Sequence, residues 1–214
     1  YMKQKNYRSL LRFALSIVLF ITGTSQVANA YLVTELQATY SNGQVFLTWK
    51  NPSFTNLQYN VYRSTSPFLS AADLNTSTYL GFVRDNSGKN VRKSTLYSQN
   101  FYFKTSSSGS QLASDRGLYV ATCTNASNYY YAVMVVTLSN NIEDKSSISA
   151  ANSLAIPVNE TVADPQPVLQ HQATENDGTL RYEYALWGNN QETPHFPAFN
   201  NAGSYAHKIG RAHV

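Results

Sequence analysis

The sequence predicts an all-β protein, an antiparallel β-sandwich, on three observations. Past residue 30 apolar side chains recur with period two rather than 3.6. β-Branched and aromatic residues fill these runs, most densely from Tyr129 to Leu138. Clusters of Asn, Gly, Pro and Ser punctuate them at the intervals expected of short strands.

Each strand follows from its own pattern. Leu32 to Tyr40 is a first strand, and Ser41, Asn42 and Gly43 supply a hairpin turn, because Asn-Gly tolerates positive φ. Gln44 to Lys50 follows with Val45, Leu47 and Trp49 on one face, ended by Asn51 and Pro52. Gln58 to Arg63 puts Tyr59 and Val61 on one face and Asn60 and Tyr62 on the other. Thr78 to Val83 and Gly117 to Cys123 come next, then Tyr129 to Leu138 with Tyr129, Tyr131, Val133 and Val135 sharing a face. A last strand is expected from about Ser153 to Val158, where Pro157 marks an edge or an end. The expected core is Val45, Leu47, Trp49, Tyr59, Val61, Tyr131, Val133 and Val135.

The first thirty residues read as an export signal. Lys3, Lys5, Arg8 and Arg12 precede the apolar run Phe13 to Ile21, and Ala28, Asn29 and Ala30 form a small-residue cleavage site. A membrane anchor needs about 20 consecutive apolar residues, and Thr22 to Gln26 interrupts before that. Secretion, or placement in the periplasm or on the cell surface, is the expectation, with no membrane span after cleavage. Tyr1 ahead of Met2 reads as upstream readthrough. Of the 16 Lys and Arg residues four lie in the signal, whereas all 12 Asp and Glu lie beyond it. The mature chain is then near neutral, which removes the case for a nucleic-acid partner. Lys89, Arg92 and Lys93 form the one local basic cluster, expected in a solvated loop.

With a single cysteine, Cys123, the chain cannot close a disulfide on itself. Cys123 is expected as a small buried hydrophobe rather than a nucleophile. Between residues 84 and 116 the alternation weakens, and this insertion is read as a turn at Asp85 to Gly88, a short strand at Phe101 to Phe103 and a flexible tip at Thr105 to Ser110. Residues 162–166 read as a proline-bearing linker. After it, residues 167–208 open with a hairpin turned at Asn176 to Gly178, whose Tyr182, Tyr184 and Leu186 are expected on one apolar face with Arg181 and Glu183 pointing away. That hairpin is read as the start of a second, truncated domain, so either Tyr184, Leu186 and Trp187 are expected to be unusually exposed for their size or the hairpin is expected to sit loosely against the sandwich with few buried contacts. Residues 209–214 match a translated sequencing adapter.

Leu36 to Lys50, then Tyr59 to Ser64, then Tyr131 to Val135 resemble a fibronectin type III domain over about residues 31–161: a buried Trp in the second strand, Tyr-x-Val in the third and Tyr-x-Val-x-Val in the sixth. The resemblance implies an immunoglobulin-like sandwich, with one Tyr of 129–131 making the corner hydrogen bond of such folds. The whole arrangement, from signal to Pro165, Pro167 and the Tyr/Trp hairpin, also resembles the front of secreted bacterial multidomain hydrolases. That implies an α/β-hydrolase or esterase-like domain following in the same chain.

No nucleophile elbow, His-Glu-x-x-His helix, phosphate loop or dinucleotide turn occurs. No catalytic residue, metal ligand or cofactor is therefore assigned. A zinc or triad site would need His171, His195 and His207 to converge with Glu183 or Glu192. Aromatic content carries more, since exposed Tyr rings stack on sugars and apolar polymers. Tyr62, Tyr102 and Tyr130, expected opposite the core or in the insertion, are the candidate binding residues for a polysaccharide or cell-surface polymer; outward Tyr residues without any purpose are the plainer alternative. Three functions stay open: a non-catalytic accessory domain that spaces, docks or binds; the front of a hydrolase whose active site lies further on; and a carbohydrate- or surface-binding module.

Overall fold

The computed structural model describes residues 31–146, 148–174 and 178–188, and the backbone of 198–200. The expected export signal, the hairpin turn at 175–177, His195, His207 and the expected adapter segment lie outside the described residues.

β1 (Thr34–Ser41) and β2 (Gln44–Lys50) pair antiparallel. Between them Asn42 and Gly43 take φ values of 46° and 75°, the left-handed pair that matches the twist of a two-residue hairpin. β3 (Leu57–Ser64) and β4 (Thr78–Arg84) form a second hairpin, whose long loop carries the 3-10 turn Ala71–Asn75. β5 (Arg116–Thr122) returns to pair with β2, and β6 (Ser127–Thr137) crosses to pair with β3. β7 (Ile142–Glu143) and β8 (Val158–Glu160) attach to opposite ends of β6. Two antiparallel sheets result, ordered β1-β2-β5 and β4-β3-β6-β7, with β8 also on β6.

The sheets close on one core. All eight residues expected inside, Val45, Leu47, Trp49, Tyr59, Val61, Tyr131, Val133 and Val135, are buried together with Val83, Tyr119, Ala121 and Cys123. Trp49 is the largest side chain of this cluster, and its ring lies 5.5 Å from that of Tyr59 in the facing sheet. Its cross-strand partner is Gly117. A Cβ at Gly117 would sit 2.3 Å from the indole, so the glycine is there to make room for the tryptophan.

Three expectations need correction. The final strand is Val158–Glu160 rather than 153–158. Ser153 makes only an isolated bridge to Ala132, and regular pairing resumes after Pro157, which has no N–H to give. The insertion holds a helix, α1 (Val91–Tyr97), capped by the Asn90 side chain accepting from the Lys93 amide at 3.0 Å. Phe101 to Phe103 does not form a strand; Tyr102 alone bridges Lys89. Polar α1 buries only Lys93 and Ser94, so it shows no apolar stripe for a periodicity argument to find.

A third sheet, ordered β11-β10-β9, is built from β9 (Val168–Thr174), β10 (Leu180–Ala185) and the backbone of β11 (Ala198–Asn200). Contrary to expectation, Trp187 at its end is only 1% exposed. The inward face of β10 carries Glu183 and Ala185, not Tyr182 and Tyr184. Val168 lies opposite Ala185 and shares its buried face, and a register shift between Glu183 and Tyr184 breaks the ladder beside it.

The Trp49 and Gly117 pair should behave as one packing unit. Trp49→Ala is expected to cost about 3–5 kcal/mol and Gly117→Ala about 1–3 kcal/mol from overpacking, measured by denaturant unfolding. In a Trp49→Leu background Gly117→Ala should cost much less. Additive costs in that cycle would separate the two residues.

Candidate functional site

The outer face of β2 and β5 is apolar where a two-layer sandwich would leave it wet: Phe46, Leu118 and Val120 are all buried. Alternation puts them opposite the core residues Val45, Leu47, Tyr119 and Ala121. They are covered by Phe103 of the insertion and by Val168, Ala185 and Trp187 of the third sheet. Trp187 meets Phe46 at 5.4 Å and Phe103 at 5.6 Å, both edge to face, the arrangement ring quadrupoles favour.

Directed polar bonds frame this apolar seat. Gln44 is 1% exposed, and its Nε2 donates to the Trp187 carbonyl at 2.8 Å. Thr122 Oγ1 donates to the Gly188 carbonyl at 3.1 Å. Gln170, in β9, accepts from the Lys104 amide at 2.8 Å and donates to the Lys104 carbonyl at 3.0 Å. One side chain thus imitates a strand partner for the insertion. The Leu169 amide donates to Ser107 Oγ at 3.0 Å, so the Thr105 to Ser110 tip is engaged by the third sheet.

Lys93 completes the frame and is the buried exception in the basic cluster, where Arg92 is exposed and Lys89 half-buried. It is 6% exposed, its Nζ lies 2.7 Å from Glu183 Oε2, and it sits 4.8 Å from the centre of the Phe101 ring. A lysine is tolerated at such burial because its charge is paired with Glu183 and faces the Phe101 ring. His171 lies directly across β9 and β10 from Glu183. Partial burial, and then the Lys93 cation, depress its pKa. Glu183 pulls the other way more weakly, and its ion pair with Lys93 ties the third sheet to α1.

The three candidate binding tyrosines do not come together. Tyr62 is 8% exposed; Phe68, Leu74 and Met134 pack around it, because the β3–β4 loop folds over that part of the sheet. Its hydroxyl donates to Glu143 Oε1 at 2.7 Å. Tyr130 is half-buried against the same cluster, and Tyr102 lies half-buried in the insertion on the other side of the molecule. Sequence reasoning missed the seat itself. Phe46, Leu118 and Val120 stood in plain alternation with core residues, and their apolar character was the available signal.

At the end of the sandwich near β8, Glu160 is 1% exposed. It accepts a short hydrogen bond from the Tyr131 hydroxyl and pairs with Arg63 at 3.5 Å. The expected tyrosine-corner bond to backbone is thus replaced by a bond to a buried carboxylate. Cys123 lies beside this cluster; burial first, then the Glu160 charge, pushes its thiol up to about 12. Among the described residues no group of three or more His, Cys, Asp and Glu could hold a metal ion, and no helix is long and apolar enough to cross a membrane.

A thiol so placed is expected to resist alkylation by iodoacetamide in the folded protein at about pH 8 and to react only after guanidinium unfolding. Labelling of the native protein at the rate of a free thiol would place Cys123 at the surface. No protein-family model matches the chain, and neither the curated proteins nor the solved structures include a match to it.

Proposed function

We propose that this chain is an exported, non-catalytic accessory module: a fibronectin type III-like sandwich that docks and orients the segment following its own linker. The observation that carries this reading is the Trp187 seat, where a sheet face and Phe103 of the insertion enclose one side chain, and side-chain bonds to backbone hold its strands. The strand order β1-β2-β5 facing β4-β3-β6-β7, with a buried Trp in β2, supports the fibronectin type III-like assignment. The insertion gains a purpose on this reading, since α1 and Phe103 supply the part of the seat that a compact sandwich lacks. The linker is fitted as well: Tyr40 donates to the Thr161 carbonyl at 3.0 Å, and the space a Cβ at Gly43 would need is taken by Ala163.

Docking should be visible in amide exchange. Trp187→Ala combined with Glu183→Gln is expected to speed exchange in β9 and β10 by roughly tenfold or more, leaving β3 and β6 as protected as before. Equal exchange of β9 and β10 in parent and variant would show that the segment is not held. Loosening of β3 and β6 to the same degree would make Trp187 part of one undivided core.

A further inference from the structure

The outer face of the second sheet carries an arrangement that neither the core nor the docking seat uses. Directly opposite residues share a face, so the pairs Tyr62 with Tyr79, Asn60 with Phe82 and Gln58 with Arg84 all project outward. Tyr79 and Phe82 are three residues apart and would face opposite ways in a regular strand. A bulge between them, seen as the register shift at Val61/Tyr62, turns both rings to the same side. Leu80 turns inward and packs on the core, and Gly81 accommodates a φ of 145°. Tyr79 remains 49% exposed and Phe82 37%.

Beside the two rings runs a ladder of planar polar groups. Gln58 Nε2 donates to Asn60 Oδ1 at 2.9 Å, and Asn60 Nδ2 donates to Glu143 Oε1 at 2.8 Å. Tyr62 donates to that same oxygen from below, and Lys145 neutralises the carboxylate at 3.2 Å. The carboxylate is held by three donors before any ligand arrives, and each amide still has donor or acceptor capacity beyond its ladder bond. Exposed rings suit the C–H faces of a pyranose, and a preset row of amides and a carboxylate suits its fringe of hydroxyls. Lys145 balances the charge of Glu143, and Arg84 lies over the Phe82 ring 5.8 Å from its centre, so the hydroxyl-binding row itself carries no net charge and suits an uncharged chain.

We propose that this face, with Tyr79 and Phe82 as stacking rings and Gln58, Asn60 and Glu143 as the hydroxyl-binding row, binds a neutral polysaccharide. Tyr62 is a positioning residue that orients Glu143. The proposal rests on the accessory-module reading only in taking the module to be exported, where such polymers are met.

Native electrophoresis through gels containing hydroxyethyl cellulose, xylan, galactomannan or a mixed-linkage β-glucan, with pull-down on amorphous cellulose, tests it. Retardation in at least one gel, or retention on the solid polymer, is expected. Tyr79→Ala and Phe82→Ala should each weaken binding tenfold or more, and Glu143→Gln severalfold. Tyr102→Ala, in the insertion, should leave it unchanged. Both aromatic positions are exposed, and near-ultraviolet dichroism checks that the variants fold. Absence of binding to every polymer overturns the proposal. So does binding that survives both aromatic substitutions, or a concentration-dependent dimer that Tyr79→Ala abolishes without any polysaccharide binding. Protection of β9 and β10 in these same variants reports on docking separately, so either reading can fail without the other.

Discussion

The indole of Trp49, lying over the bare backbone of Gly117, is the contact on which the rest of the molecule depends. A side chain that large fits inside only where the neighbouring strand gives up its own, and Gly117 is the residue of β5 that does so. The pairing of Trp49 with Gly117 therefore fixes the β2–β5 register. A slip of one residue would exchange every inward and outward side chain of one strand. Because Leu47, Tyr119 and Ala121 must then point in, Phe46, Leu118 and Val120 must point out. The apolar outer face, and with it the seat for Trp187, is a by-product of the choice made at Trp49.

The inner face was legible in the sequence because strict alternation along β2, β3 and β6 leaves one assignment of sides. The outer faces were not, since period-two reasoning says which residues share a side and nothing about what lies against it. Tyr62 illustrates this: alternation gives its strand face, yet Phe68 and Leu74, from a loop without periodicity, cover it. In the hairpin the expected faces are exchanged, because the unbroken Tyr182, Tyr184 and Leu186 series is more apolar than Glu183, Ala185 and Trp187. A salt bridge from a residue ninety positions away makes Glu183 acceptable on the inward side, and no local pattern announces it. Tyr79 and Phe82 escaped for a related reason, because their shared orientation needs a bulge that alternation cannot foresee.

Two ion pairs align the packed elements, Arg63 with Glu160 at low exposure near β8 and buried Lys93 with the partly exposed Glu183 beneath the third sheet. Such pairs recover little more than the cost of taking two ions out of water, yet losing one partner leaves the other stranded. Their contribution is therefore to alignment. Apolar contacts around Trp187 would tolerate several orientations of the hairpin, whereas the Lys93 ammonium and the two-point grip of Gln170 on Lys104 tolerate few.

The bulge in β4 has an outcome for the molecule in company. β4 closes one end of its sheet, and a straight terminal strand presents a regular row of amides and carbonyls on which a neighbouring copy could crystallise into a continuous ribbon. Leu80 and Gly81 break the spacing of that row in its middle and bend the strand away from flatness. Crowded copies can then lie side by side without fusing through their backbones.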